Sequence, residues 1–190
     1  RDAGPDVRRR VVRHLDRIRA MGNVTLRARV TSRNDFPMDV GFASSSSAFA
    51  ALSLAGVRAL GIGLSQRALS ILARKGSGSA CRSIPDGFVE WIAGSSDSTS
   101  YARSLASPDA WGLSVVTVTF GADRKPVSSL EGHRAAPSSP FYAARLAHLP
   151  QRLQAVRSAL RNRDLAALGM TVEREAISLH CVAMTSRVQT

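Results

Sequence analysis

Gly41-Phe42-Ala43-Ser44-Ser45-Ser46-Ser47-Ala48-Phe49-Ala50-Ala51-Leu52 passes from a run of small residues directly into an apolar helical pattern, and the reading of the whole chain turns on it. Small residues let a backbone approach an anion closely, and the first free N–H groups of a new helix point at that anion with the positive end of the dipole. The stretch therefore predicts a phosphate-binding loop, followed by a helix that runs to about Leu60, where Gly61 and Gly63 end it. A serine-rich linker entering a core helix is the plainer alternative. Phe42 and Phe49 weigh against it, because a solvated linker has little use for two large apolar side chains.

Upstream, Val7, Val11, Leu15 and Ile18 recur at helical spacing between Asp6 and Met21, while Arg8, Arg9, Arg13 and Arg17 fall mainly elsewhere on the wheel. This predicts an amphipathic helix with a basic face. Over residues 24–31 the pattern changes to alternation, with Val24, Leu26, Ala28 and Val30 on one face and Thr25, Arg27, Arg29 and Thr31 on the other. That is the signature of a half-buried strand, and it delivers the chain to Asn34-Asp35-Phe36-Pro37 and the phosphate loop.

Downstream, Ser65 is placed to cap a helix through Lys75 that carries Leu69 and Leu72 on its apolar side and stops at Gly76. Arg74-Lys75-Gly76-Ser77-Gly78-Ser79-Ala80-Cys81-Arg82-Ser83 follows. Ser77 and Ser79 offer short hydroxyl donors on a glycine-opened turn, which suits a phosphate, and Arg82 offers a planar fork that suits a carboxylate. For the serines alone, a capping turn is the plainer reading. Residues 88–92 and 113–120 read as strands, the second buried on both faces because Val115, Val116 and Val118 leave no polar side. Between them, residues 94–108 are rich in Ser and Asp and read as a surface loop. From Pro140 onward the pattern is helical, with Leu153, Val156 and Leu160 on one stripe, Leu165, Leu168, Val172 and Leu179 on the next, and Asp164 as the cap between.

Composition narrows the function. An apolar fraction of 44% is that of a globular chain and argues against disorder. No apolar run approaches the roughly 20 residues that span a bilayer, and the first residues do not read as a signal peptide, so a soluble cytoplasmic protein without membrane partners is expected. Cys81 and Cys181 are too few for a disulfide framework, and Cys81 reads as packing. His14, His133, His148 and His180 are scattered, which reads as surface or core histidines rather than a zinc site. The net charge of +12 invites a nucleic-acid reading, but the lysines are only Lys75 and Lys125 and aromatic residues make up 5%, leaving few stacking platforms. Nucleic acid is not the expected partner. A positive field would also steer phosphorylated, carboxylated small molecules into a cleft.

Two blocks carry a family resemblance. Asn34-Asp35-Phe36-Pro37 with the stretch from Gly41 to Leu52 resembles the central motif of diphosphomevalonate decarboxylases, a branch of the GHMP kinase superfamily. The block from Arg74 to Ser83, followed by Gly87-Phe88-Val89-Glu90-Trp91, resembles that family's substrate-binding signature, and Lys125-Pro126-Val127-Ser128-Ser129 resembles its Lys-x-Val-Ser-Ser segment. The resemblance implies an α+β, GHMP kinase-like fold of two lobes. The first would be a lobe like the second domain of ribosomal protein S5 over residues 1–130, and the second the start of a helical and sheet lobe over residues 131–190. It also implies that this chain is an internal fragment, because neither the family's upstream lysine-containing motif nor its downstream glycine-rich segment with the catalytic aspartate is found.

The implied activity of the intact enzyme is ATP-dependent decarboxylation of 5-diphosphomevalonate to isopentenyl diphosphate, with phosphoryl transfer to the C3 hydroxyl preceding loss of phosphate and carbon dioxide. By resemblance, Gly41, Ala43, Ser44, Ser45, Ser46 and Ser47 hold the ATP phosphates, Ser45 or Ser46 contributes to Mg²⁺ binding, and Arg82 holds the C1 carboxylate. Ser77, Ser79, Ser128 and Ser129 hold the phosphoryl tail, and the enzyme is a homodimer. Three departures bear on the substrate. Leu130 stands where relatives carry a polar or basic residue, Asp86 replaces a glycine, and Asp39 places a carboxylate near the phosphate loop. They keep 5-phosphomevalonate as the alternative substrate, with a C3-specific kinase and a non-catalytic binding module of the same fold behind it.

Overall fold

In a computed structural model of the protein, residues 4–36, 43–118, 127 and 129–188 are described. The chain divides into two units, Arg1–Gly112 and Leu113–Thr190. In the first unit, α1 (Pro5–Gly22), α2 (Ser44–Ala59) and α3 (Gln66–Gly76) are followed by a 3₁₀ turn at Gly78–Ser83 and a hairpin of β1 (Phe88–Ile92) and β2 (Tyr101–Ala106). The second unit contains a short helix α4 (Ser129–Ala135) and the long helices α5 (Tyr142–Asn162) and α6 (Leu165–Thr185).

Helix ends follow local chemistry. Pro5 occupies the first turn of α1, where its missing N–H leaves no bond unmade. Ser65 accepts from the Ala68 N–H at 3.2 Å to cap α3, and Asp164 accepts from the Ala167 N–H at 2.9 Å to cap α6. α2 stops where the Gly61 N–H bonds the Arg58 carbonyl at 3.0 Å and the Ile62 N–H bonds the Val57 carbonyl at 2.9 Å, with Gly61 at φ +65°. That is the paired closure a left-handed residue permits, and Gly61 alone suffices for it.

The core of the first unit lies where α1, α2 and α3 meet. Ile18, Val57, Leu69 and Leu72 are buried together, and a second cluster of Phe49, Ala50, Ala73 and Ala80 adjoins the 3₁₀ turn. α1 approaches α2 through Gly56, where a Cβ would lie 2.7 Å from Ile18 Cδ1. β1 and β2 pair antiparallel, Trp91 opposite Ala102, with an irregularity between Phe88 and Val89. Gly87 turns the chain into β1 at φ +77°, and a Cβ there would sit 2.2 Å from the Ala106 carbonyl oxygen.

Three expectations are corrected. Residues 94–108 are not simply a loop: a tight turn closed by Thr99 Oγ1, which accepts from the Ser95 and Ser96 N–H groups, leads into β2. Residues 24–31 form no strand with any described segment, and Leu26 and Val30 are exposed. The same holds for residues 113–118, where Val115 is 85% and Val116 87% exposed rather than buried on both faces. Alternation or an apolar run prepares a chain for a sheet, but a strand exists only where another backbone takes its hydrogen bonds.

In the second unit, the Arg163 N–H bonds the Leu160 carbonyl at 3.3 Å and the Asp164 N–H bonds the Ala159 carbonyl at 2.9 Å, which reverses the chain between α5 and α6. Glu175 on α6 bridges Arg145 and Arg152 on α5. Ala159 on α5 and Val182 on α6 are buried, whereas Leu153, Leu165, Val172 and Leu179 remain exposed.

Candidate functional site

The start of α2 leaves its positive end uncovered by its own side chains. No side chain caps it, no acidic residue stands in its first turn, and its N-cap is Ala43. The dipole and the free N–H groups are therefore left for something outside the helix. The Ser46 N–H is taken by the Ala43 carbonyl at 2.7 Å, and the Ser47 hydroxyl donates to the Ser44 carbonyl at 3.1 Å. The hydroxyls of Ser45 and Ser46 point elsewhere, onto the turn that follows α3.

There the two serine clusters meet. Ser45 Oγ lies 3.2 Å from Ser77 Oγ, and Ser46 Oγ is hydrogen-bonded to Ser79 Oγ. Ser46 is buried, whereas Ser45, Ser77 and Ser79 are half-buried. Arg10 on α1 stacks its guanidinium 5.0 Å from the Phe49 ring centroid and donates to the Gly76 carbonyl at 3.4 Å, standing beside Ser77.

Arg82 projects from the same 3₁₀ turn, exposed, with its guanidinium carbon 5.8 Å from the Trp91 ring centroid. Trp91 is held in turn by its indole N–H, which donates to Ser100 Oγ at 3.0 Å. Arg74 and Lys75, which precede the turn, are engaged with Asp97: Arg74 Nη2 lies 2.7 Å and Lys75 Nζ 3.3 Å from its carboxylate oxygens. The hydrogen bond from Arg74, then that from Lys75, holds the Asp97 carboxyl below its ordinary range. Burial pushes the Cys81 thiol up, against the nearby positive charge of Arg82, so Cys81 is a packing residue whose Sγ donates to the Gly78 carbonyl at 3.2 Å.

The structure thus brings Ser45, Ser46, Ser77 and Ser79 together and puts Arg82 on the turn that carries the last two. Ser44 and Ser47 stay with the first turn of α2. Ser129 opens α4 in the second unit, exposed, while Gly41 and Ser128 lie outside the described residues, as do Asp39 and Lys125. Hydroxyl oxygens are hard donors that suit Mg²⁺ when phosphate oxygens and water complete its shell. Among the described residues no group of three or more His, Cys, Asp or Glu side chains could hold an ion by itself. The donor set fits Mg²⁺ only in company with a nucleotide, and of the two hydroxyls half-buried Ser45 is the more accessible, Ser46 being buried.

One buried group beneath the site carries no family signature. His14, wholly buried on α1, lies 2.8 Å through Nε2 from Ser53 Oγ, and Ser53 gives its own proton to the Phe49 carbonyl at 2.6 Å. The single hydroxyl proton is spent, so His14 must donate from Nε2, which leaves Nδ1 as a buried lone pair with no partner. Its ring meets Phe49 edge-on at 5.3 Å. Burial, and then the charge of Arg17, lowers its pKa to about 4. The signal was in the spacing: His14 shares the helical stripe of Val11 and Ile18.

The chain is similar to proteins of one family over most of its length. A model of the diphosphomevalonate decarboxylase-like N-terminal domain matches residues 2–102, and one of the mevalonate 5-diphosphate decarboxylase C-terminal domain matches residues 115–189. Diphosphomevalonate decarboxylase mvd1 of Aspergillus fumigatus is 36% identical over 167 residues, 85% of this chain and 41% of the relative. Phosphomevalonate decarboxylase of Haloferax volcanii is 29% identical over 171 residues, 90% of this chain and 52% of the relative. The solved structure of MDDEF in complex with MVAPP, AMPPCP and magnesium superposes with a TM-score of 0.83 at 34% identity, covering 93% of this chain and 55% of that one. The chain spans about half the length of these proteins. Its fold is the α+β, GHMP kinase-type fold of those decarboxylases. With one family model covering more than half of its residues and a second covering most of the rest, the chain belongs to the diphosphomevalonate decarboxylase family.

Proposed function

We propose that the full-length protein is an ATP-dependent decarboxylase that converts 5-diphosphomevalonate to isopentenyl diphosphate. One observation carries the reading: the serine-rich start of α2 rests on the Ser77-Gly78-Ser79 turn through Ser45–Ser77 and Ser46–Ser79 contacts, so two anion-suited elements share one place. The ligands held by MDDEF support the pairing, since MVAPP, AMPPCP and magnesium occupy one structure of that relative.

In this reading the loop from Gly41 with Ala43, Ser44, Ser45, Ser46 and Ser47 receives the ATP phosphates on backbone N–H groups at the positive end of α2. Ser45 joins the shell of the Mg²⁺ that accompanies the nucleotide and offsets its phosphate charge. Ser77 and Ser79 exchange their contacts with Ser45 and Ser46 for the phosphoryl tail. Arg82 receives the C1 carboxylate and fixes the carbon–carbon bond that breaks. A homodimer in the cytoplasm completes the proposal.

A second reading, a 5-phosphomevalonate decarboxylase, is favoured by Leu130. It follows Ser129 in α4, 62% exposed, and offers no donor to a second phosphate. The test of the shared core is Arg82→Ala in the full-length protein, which is expected to lower kcat/KM by about a hundredfold or more, with partial recovery in Arg82→Lys. Activity within about threefold of the parent would remove Arg82 from its role.

A further inference from the structure

We infer that Ser70 is a positioning residue that sets the orientation of Arg82 and of the serine turn; the inference deepens, and rests on, the decarboxylase reading of that turn. A serine inside a helix ordinarily points to solvent or bonds back to its own helix. Ser70, wholly buried near the middle of α3, does neither. Its hydroxyl donates to the Cys81 carbonyl at 3.1 Å and accepts from the Ala102 N–H at 2.9 Å. One buried oxygen therefore joins α3, the 3₁₀ turn and β2.

Both bonds lead to Arg82. Cys81 is the residue before it, so the first bond fixes the peptide from which Arg82 springs. Ala102 stands opposite Trp91 across the hairpin, and the Trp91 ring is the surface under the Arg82 guanidinium. Ser70 thus governs the root of the Arg82 side chain along one path and the platform beneath its tip along the other. Ser70, Cys81 and Ala102 are all buried, so removing the hydroxyl takes these hydrogen-bond partners from a buried carbonyl and a buried N–H. The turn can regain them only by moving, and a displacement of about 1 Å at a ligand-orienting group costs up to about a hundredfold.

The experiment compares Ser70→Ala with Val57→Ala in the full-length protein. Val57 belongs to the cluster of Ile18, Leu69 and Leu72, which includes none of Ser70, Cys81 and Ala102, so its truncation lowers stability without removing either bond. Calorimetric affinity for 5-diphosphomevalonate and 5-phosphomevalonate is read at a temperature where both variants are folded, together with amide exchange over residues 78–82. The expected result is an affinity loss on the order of tenfold to a hundredfold in Ser70→Ala, with faster exchange in the turn, and affinity near the parent's in Val57→Ala. Equal affinities in the two variants overturn the inference. If the parent itself binds neither mevalonate phosphate, the decarboxylase reading fails. Exchange then decides Ser70: faster turn exchange in Ser70→Ala alone upholds its positioning role, and equal exchange ends it. Should Ser70→Ala not fold, Ser70→Cys, which keeps a weak donor and acceptor at the same place, carries the same comparison.

Discussion

Acidification from about pH 7 to about pH 5 is expected to withdraw about 2 kcal/mol of folding stability through His14 alone. The histidine has an ordinary value of 6.5 and a folded value of about 4, because burial and then Arg17 disfavour the cation. The folded pKa is depressed, so the folded state holds the neutral ring while the unfolded chain takes up a proton. Stability from this group is complete above about 6.5, falls as pH drops toward about 4, and falls no further below that, where both states are protonated. At about pH 5 nearly every unfolded chain carries the proton and only about a tenth of folded molecules do, which gives the figure of about 2 kcal/mol. Arg17 on α1 carries the sign of the imidazolium it disfavours, and Arg10, also positive, stacks on the same Phe49 that His14 meets edge-on. Denaturant midpoints of the parent and His14→Gln at the two pH values isolate the effect, since all other titrations cancel in the difference. The parent should lose about 2 kcal/mol more than the variant, and the His14 ring signals should titrate near 4 by NMR. Equal losses, or a ring that titrates at 6.5, would refute the buried, Nε2-protonated assignment.

Gly87→Ala should lower stability by about 2 kcal/mol or more and loosen the β1–β2 hairpin, because an L side chain is strained at its φ of +77° and would meet the Ala106 carbonyl oxygen. Amide exchange of β1 should quicken, and an unchanged hairpin would contradict the geometry. Gly76→Ala should cost about 1–3 kcal/mol, since its Cβ would fall 2.3 Å from Phe49 Cδ1 and 2.9 Å from His14 Nδ1 in a packed core. Chemical denaturation measures it, and a stabilised variant would mean the core yields where it is described as tight.

Much of the helical framework was legible because its signals are local. Val7, Val11, Leu15 and Ile18 mark α1 by spacing, Ser65 and Asp164 mark helix starts by chemistry, and Gly61 marks an end by the backbone angle it alone tolerates without strain. β2 escaped because Tyr101-Ala102-Arg103-Ser104-Leu105-Ala106 is poor in β-branched residues, and its place is fixed by the turn before it and by β1. Residues 24–31 and 113–118 show the converse: their patterns predict strands that no described neighbour pairs with, because pairing depends on a partner that no local pattern names.

At the site, residue types and order were visible but their partners were not. Ser45 and Ser77 are 32 positions apart and touch, which no periodicity reveals. Arg74 and Lys75 both pair with Asp97, a partner that neither motif nor spacing names. Ser70 reads in sequence as an indifferent helix residue, and only its two buried bonds give it meaning.

The most direct test of the central claim is simultaneous measurement of ADP and carbon dioxide released by the full-length protein with ATP and Mg²⁺, using 5-diphosphomevalonate and 5-phosphomevalonate in parallel. Equal release of both products with the diphosphate is the predicted result, and the same release confined to the monophosphate would assign Leu130 to substrate choice. ADP without carbon dioxide, or neither product with either substrate, would contradict the decarboxylase account.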